Sequence, residues 1–307
     1  MDAPDNDAKR GRQMRLPRKA PCSIIRVGAP LAAVLLLFGG PAHADYPSTV
    51  LSTSPVAYFR LEAANDTSQV NGYTSTFQPG ATLATPGAPI CVVNNHSVAL
   101  NGTTGYVTTS LFGGGISTGG TIAAWVNLAI LPSSASTFLY VAGESQFEND
   151  FDLQFTNDNN VRFYFKDSST NVGYLPNAAA LVGQWHFVVA TFDSGTNTEK
   201  IYWDGQPAAT TNITVYPNLS GDTSKTTQFT IGESTVFVPR FFNGSIDEVA
   251  VWNYALTASQ VTAIYGSASC PAASVPTLPV WGLAILGLLL MGSTALMLRQ
   301  PARASGR

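Results

Sequence analysis

The chain predicts an all-β fold, a two-sheet antiparallel sandwich, on three observations. From residue 45 to residue 273, short apolar segments alternate with clusters of Gly, Asn, Ser, Thr and Pro, the spacing of strands and turns in a sandwich or barrel. No long helical periodicity interrupts them before Thr257. The segment 242–265, FNGSIDEVAVWNYALTASQVTAIY, then reads as a turn, a buried strand and a capped helix that close one large domain.

Along the chain, candidate strands lie at 56–61, 97–100, 106–108, 121–128, 137–141, 151–156, 161–166, 185–193, 200–203, 227–232 and 246–252. Two hairpins are legible. Segments 151–156 and 161–166 flank Asn157-Asp158-Asn159-Asn160, residues that tolerate positive φ, and Trp203-Asp204-Gly205-Gln206 carries an Asp-Gly turn. Asn243-Gly244 is turn chemistry as well. In the strand after it, alternation puts Asp247, Val249 and Val251 on one face and Glu248, Ala250 and Trp252 on the other. Thr257 begins one short C-terminal helix. Its hydroxyl caps the first turn, Gln260 reaches back, and Leu256 with Val261 forms a hydrophobic staple. Val261, Ile264 and Tyr265 make the apolar stripe, and Gly266 ends the helix.

The two ends have a different character. Residues 1–44 carry seven basic residues, an apolar run at 27–38 and then Ala42-His43-Ala44, the three parts of a secretory signal peptide cut before Asp45. Met1 and Met14 are alternative starts. The tail, 274–307, holds an uncharged run that ends before Arg299, Arg303 and Arg307. Residues 278–298 are long enough for a transmembrane helix with these arginines on the cytoplasmic side. The expected location is therefore exported, either anchored in the inner membrane or at the cell surface after removal of the tail.

Between the ends, six basic residues face sixteen acidic ones, a net charge of −10. Such a surface repels a phosphate backbone, which sets nucleic acid aside as a partner. Cys22 leaves with the signal peptide, so Cys91 and Cys270 are the pair left in an oxidising compartment. They are either bridged or two buried thiols. A bridge would tie an early strand to the segment just past the closing helix and close a long loop.

Five segments resemble a known family. TIAAWVNL (121–128), QWHFVVATFD (184–193), KIYWDGQPA (200–208), FTIGES (229–234) and the closing segment 242–265 occur in the order and spacing of laminin-G-like, concanavalin A-like jelly rolls. The series is also similar to pentraxins. The resemblance implies a two-sheet jelly roll that binds a glycan or an extracellular protein, and it implies no reaction. PTLPVWG, residues 276–282, resembles the IPTL-CTERM sorting tail of Gram-negative bacteria, which implies membrane insertion through the tail and a sorting or processing enzyme as partner.

The resemblance further implies one structural calcium ion. In related jelly rolls such an ion sits near the position of Asp247, joined by acids of the N-terminal loop, here Glu62 or Asp66; calcium takes such oxygen ligands. The alternative is that Asp247, an inward carboxylate in need of a partner, accepts hydrogen bonds from backbone amides of a nearby loop. A pentraxin-type metal cluster is not expected, because in its loop, 233–242, Glu233 is the one acid.

No catalytic residue is assigned. Glu148-Asn149-Asp150-Phe151-Asp152 resembles the Glu-x-Asp-x-Glu strand of laminarinase relatives but ends in Asp152. The shorter arm displaces a carboxyl that a retaining mechanism needs about 5 to 5.5 Å from its partner. A glycan hydrolase resting on Glu148 and Asp152 is thus an alternative reading, beside a purely structural envelope or matrix protein. His96 and His186 are in no metal-binding spacing, and the glycines at 113–115 and 119–120 lack the Gly-Lys-Ser or Gly-Lys-Thr of a phosphate cradle. No GxSxG occurs. Ligand-contact candidates are Glu148 and Asp150 in the acidic run, and Tyr174, Tyr216 and Phe237 in loop-like surroundings. Trp125 and Trp185, mid-strand among apolar neighbours, are assigned to packing, and His186 to structure.

Overall fold

Strands are the main regular element among the residues that the computed structural model describes, which are 44–112, 119–144, 151–165, 171–212, 228–234 and 239–270. In chain order they begin with β1 (Ala57–Phe59), β2 (Asn65–Thr67), β3 (Thr74–Phe77), β4 (Ala81–Ala84), β5 (Ser97–Asn101) and β6 (Val107–Phe112). The middle of the chain forms β7 (Gly119–Leu128), β8 (Leu139–Glu144), β9 (Phe151–Phe155), β10 (Val161–Phe165), β11 (Val172–Tyr174) and β12 (Trp185–Asp193). There follow β13 (Thr198–Trp203), β14 (Gln206–Asn212), β15 (Gln228–Ile231), β16 (Glu233–Ser234), β17 (Arg240–Phe241) and β18 (Asn243–Trp252). The helices are α1 (Tyr46–Ser52), α2 (Ala178–Leu181) and α3 (Ala258–Ser267).

Two eight-stranded antiparallel sheets form the predicted sandwich. The first runs β14-β13-β12-β7-β18-β5-β4, with β1 pairing on β18, and the second runs β11-β10-β9-β8-β15-β6-β3-β2. Alternation explains the layer between them. Phe151, Leu153 and Phe155 of β9 and Val161, Phe163 and Phe165 of β10 are buried there against Val126, Val188, Val249 and Val251 of the first sheet. Each such side chain stabilises the fold by roughly 1.5–3 kcal/mol through burial.

Every strand read from the sequence is present, with ends displaced by a few residues. The unread ones are mostly edge or near-edge strands such as β4, β11 and β14, where polar and small residues leave no apolar alternation to see. The Trp203-to-Gln206 hairpin turns through two positive φ values, 48° at Asp204 and 76° at Gly205, as a primed turn requires. Thr257 and Gln260 form the reciprocal capping box of α3. Local expectations also fail: the one short helix expected is joined by α1 and α2, whose few residues show no periodicity to read. Asn243-Gly244 is not a turn but the start of β18, held between β5 and β7, where a Cβ on Gly244 would come within 2.1 Å of the Asn127 carbonyl. And α3 runs through Gly266 to Ser267, because nothing there forces a left-handed residue.

On its other face the first sheet carries a second apolar layer. Tyr46 and Val50 of α1, Val261 and Ile264 of α3, and Ala88 and Ile90 of the loop 85–96 cover Trp125, Phe187 and Trp252. A disulfide joins Cys91 to Cys270 across a sequence separation of 179, with Cα atoms 4.8 Å apart. Cys91 lies in the loop and not in a strand. The signal segment, 1–44 but for Ala44, and the tail with its 278–298 span lie outside the described residues; no described helix is long and apolar enough to cross a membrane.

Candidate functional site

The site begins with a break in β18. Its register against β7 slips between Asp247 and Ala250, and Glu248 adopts φ 53°, the geometry of a β-bulge. The extra residue resets the alternation. Asp247 therefore sits opposite Trp125 of the outer layer, while Val249 and Val251 stay between the sheets. The expected common face of Asp247, Val249 and Val251 does not exist.

Two fully buried carboxylates result, and each meets donors. Asp247 Oδ2 accepts the Ala88 N–H at 2.8 Å and the Asn95 amide at 2.9 Å, and Oδ1 accepts the Glu248 N–H at 2.9 Å. Glu248 accepts from Arg60 Nε at 3.0 Å and from the Tyr58 hydroxyl. Arg60 also donates to Glu62 Oε1 at 2.5 Å and to Asn95 Oδ1 at 3.2 Å. Glu62 Oε2 in turn accepts the His96 N–H at 3.0 Å and faces His96 Nδ1 at 3.1 Å. Burial, helped by the neighbouring Glu248, holds the Asp247 carboxyl well above its ordinary range against the Ala88 and Asn95 hydrogen bonds. Burial also pushes Glu248 up to about 7, with Arg60 and Tyr58 opposing.

This donor set does not fit a calcium ion. Both Asp247 oxygens are filled by N–H groups, Arg60 is the cation shared by Glu62 and Glu248, and Asp66 turns to the Glu62 and Thr67 N–H groups at 3.2 and 2.7 Å. Among the described residues no group of three or more His, Cys, Asp or Glu side chains is placed to hold a metal. Asp247 follows the other expectation, accepting from loop amides.

What these bonds fix is the loop 85–96, one wall of a surface groove of about 670 Å³. Residues 85–90, Val92, Asn94, Asn95 and Trp185 line it, and none of them is charged. Trp185 opens β12 two residues after Gly183, whose φ is 75°, and is partly buried. It packs against the outer apolar layer, as read, but stands at the first position of its strand and not in the middle, so part of its ring lies outside the layer. The wall's main chain is spent internally, Gly87 N–H on Asn95 O, Ile90 N–H on Ala88 O and Val92 N–H on Ile90 O.

The other sequence candidates are scattered. Glu148, Asp150, Tyr216 and Phe237 lie outside the described residues. Tyr174 is not in a loop but ends β11, opposite Val161 and with its ring 5.8 Å from Trp203. Asp152 is 1% exposed on β9, opposite Gly143 and Tyr164 and on the side facing away from the inter-sheet layer. Next to it on that side, Gln154 accepts from Arg240 at 3.0 Å. His186 is structural, as read. Nδ1 lies 2.9 Å from Asp204 Oδ2 and Nε2 2.9 Å from Ala180 O, two acceptors that a doubly protonated ring satisfies. Burial lowers its pKa, but these two bonds outweigh it and the net shift is upward. The groove residues were missed. Their signal was the segment TPGAPICVVNNH, 85–96, an apolar stretch broken by two prolines and a glycine with no strand pattern.

Residues 101–262, more than half the chain, match the concanavalin A-like lectin/glucanases superfamily in its laminin G form. The chain belongs to this superfamily. Its match begins after the loop 85–96, so the groove wall precedes the matched residues while Trp185 falls within them. No curated protein sequence matches the chain.

Among solved structures, the receptor-binding domain of botulinum neurotoxin C/D mosaic serotype superposes with a TM-score of 0.55 at 11% identity, over 70% of this chain and 51% of that one. The binding domain of botulinum neurotoxin serotype D gives 0.54 at 11%, over 69% and 51%. The Trypanosoma rangeli sialidase gives 0.53 at 14%, over 70% and 33%. This chain thus spans about half of the toxin domains and a third of the sialidase. At such identities the likeness shows the fold alone.

Proposed function

We propose that the protein is an exported, non-enzymatic recognition domain whose ligand is a glycan or an extracellular protein. The groove beside Trp185 carries this reading. It is a concavity of ligand size, its wall is pinned by a disulfide and buried hydrogen bonds, and the described residues that line it carry no charged side chain. Neighbours described as receptor-binding or binding domains support a recognition role on this fold. In this reading the segment 1–44 exports the protein, and the tail holds it in the membrane until a processing enzyme releases it.

The test is binding of the full-length protein to a glycan array and to a set of extracellular proteins, with and without a calcium chelator. Saturable binding that survives the chelator and yields no product supports the proposal. Turnover of a glycan that is lost in Glu148→Gln replaces it with a hydrolase, and absence of any ligand leaves a structural envelope protein.

A further inference from the structure

We infer that residues 271–277, PAASVPT, occupy the groove beside Trp185 and keep it closed to ligand while they are in place. The inference rests on the recognition reading above and adds the regulation of that site. Attachment is the first argument. The described residues end at Cys270, whose sulfur is bonded to Cys91, and Cys91 stands between the groove-lining residues Ile90 and Val92. The segment after Cys270 therefore starts at the groove wall. Seven residues in a polyproline-like form reach about 20 Å, enough to cross a cavity of about 670 Å³. So short a tether gives an effective concentration on the order of millimolar, at which weak contacts fill a site.

The chemistry of the two surfaces agrees. The described residues that line the groove carry no charged side chain, and neither do residues 271–277, so neither partner gives up the hydration of an ion. The basic end of the tail, Arg299, Arg303 and Arg307, lacks that match. Main-chain bonding points the same way. The wall has spent the Gly87, Ala88, Ile90 and Val92 N–H groups within the protein, so an added strand would find no ladder there. A polyproline-type segment forms no ladder. Pro271 and Pro276 have no N–H, and such segments dock on aromatic-lined grooves through side-chain contact. Trp185, Pro86, Pro89 and Val92 supply that surface, and Val93 beside them is 87% exposed. The Thr85 hydroxyl and the exposed Asn94 amide carry no hydrogen bond among the described residues and are donors for the segment's carbonyl groups. The wall is also ordered before the segment arrives. Asp247 fixes Ala88 and Asn95, and the disulfide fixes Cys91, so little ordering cost falls on docking.

The test uses the full-length protein in detergent micelles, labelled with fluorotryptophan and read by fluorine NMR. Trp185→Phe removes one line and so assigns it to Trp185. A variant combining Pro271→Gly, Val275→Ser and Pro276→Gly should shift that line and raise its relaxation by a soluble gadolinium chelate about fivefold. The lines of the buried Trp125 and Trp252 and the thermal transition should stay at parent values. In a second arm, a photoreactive benzoylphenylalanine in place of Val93 should cross-link to residues 271–277 of the same molecule. An unchanged Trp185 line in the variant overturns the inference, and so do cross-links only to a second copy or to no segment of the chain. Recognition is read separately, by binding of the variant to the glycan and protein panel above. An open groove in a parent protein that binds a member of the panel overturns the inference and leaves recognition standing. A groove filled by residues 271–277, with no ligand gained by the variant, overturns recognition and the masking role and leaves the docking.

Discussion

The first sheet is buried on both faces, by different means. Its inner face meets the second sheet through regular, apolar side chains, and there the Glu199 carboxylate of β13 intrudes. Glu199 is fully buried opposite Phe192 and reaches across to the Val172 N–H at 3.0 Å, with no partner for Oε1 among the described residues. The outer face is covered by two helices and an irregular loop, and there Asp247 and Glu248 are each met by two or more donors. Strands satisfy their own main chain, so the inner layer needs only shape and apolar area. A loop laid over a sheet does not, and its N–H groups require acceptors from beneath. Buried acids are therefore fasteners on one face and an intrusion on the other.

The disulfide offers the largest test of that contrast. Replacing Cys91 and Cys270 together by alanine should cost about 5 kcal/mol on the chain-entropy account for so long a loop. Denaturant unfolding measures the loss, and hydrogen exchange should show amides of the loop 85–96 exposed while those of β9 and β10 keep their protection. Equal loss across both layers would erase the distinction.

Next in size is Arg60→Met, which strands Glu248 and Glu62 and should cost about 3 to 5 kcal/mol, the range for breaking a buried pair. Adding Glu248→Gln should recover part of that in a double-mutant cycle. If the two changes simply add, Arg60 is not the cation that makes this acid pair tolerable.

Glu199 predicts a pH effect of the opposite character. Burial raises its pKa from 4.5 to about 8 with only the Val172 bond opposing. An acid raised on folding binds its proton more tightly in the native state. Its contribution is therefore complete below about 4.5 and is lost as pH rises through about 8. Glu199→Gln should flatten the fall in stability across that window in thermal melts at pH 4, 6 and 9. An unchanged slope would assign the fall to other groups. The smallest effect belongs to the α3 cap, where Thr257→Ala should cost about 1 kcal/mol and leave the inner layer untouched in hydrogen exchange.

The central strands were legible because their residues alternate. β9 and β10 read apolar at every second position, and β7 and β12 read as long apolar runs with polar ends. The Asp204-Gly205 turn and the Thr257 capping box were legible because each is specified within four residues. Asp247 was misplaced because one left-handed residue, Glu248, shifts everything before it by a position, and no local rule makes a glutamate adopt that conformation. Trp185 packs as read, but its place at the end of the strand was missed for a related reason. A strand's first residue is half outside its layer, and where the strand starts is set by its partners.

Local chemistry alone was enough to specify the central strands, how the Asp204-Gly205 hairpin turns, how the last helix is capped and that two cysteines remain to be paired. Each of these follows from periodicity, turn residues or counting. Tertiary structure decided the rest: that Cys91 meets Cys270, that Arg60 bridges Glu62 and Glu248, and that a loop 90 residues before Trp185 in the sequence forms a groove with it. Those outcomes depend on contacts between residues far apart in the chain, where the energy of a buried charge or an open surface is set by what lies across the gap.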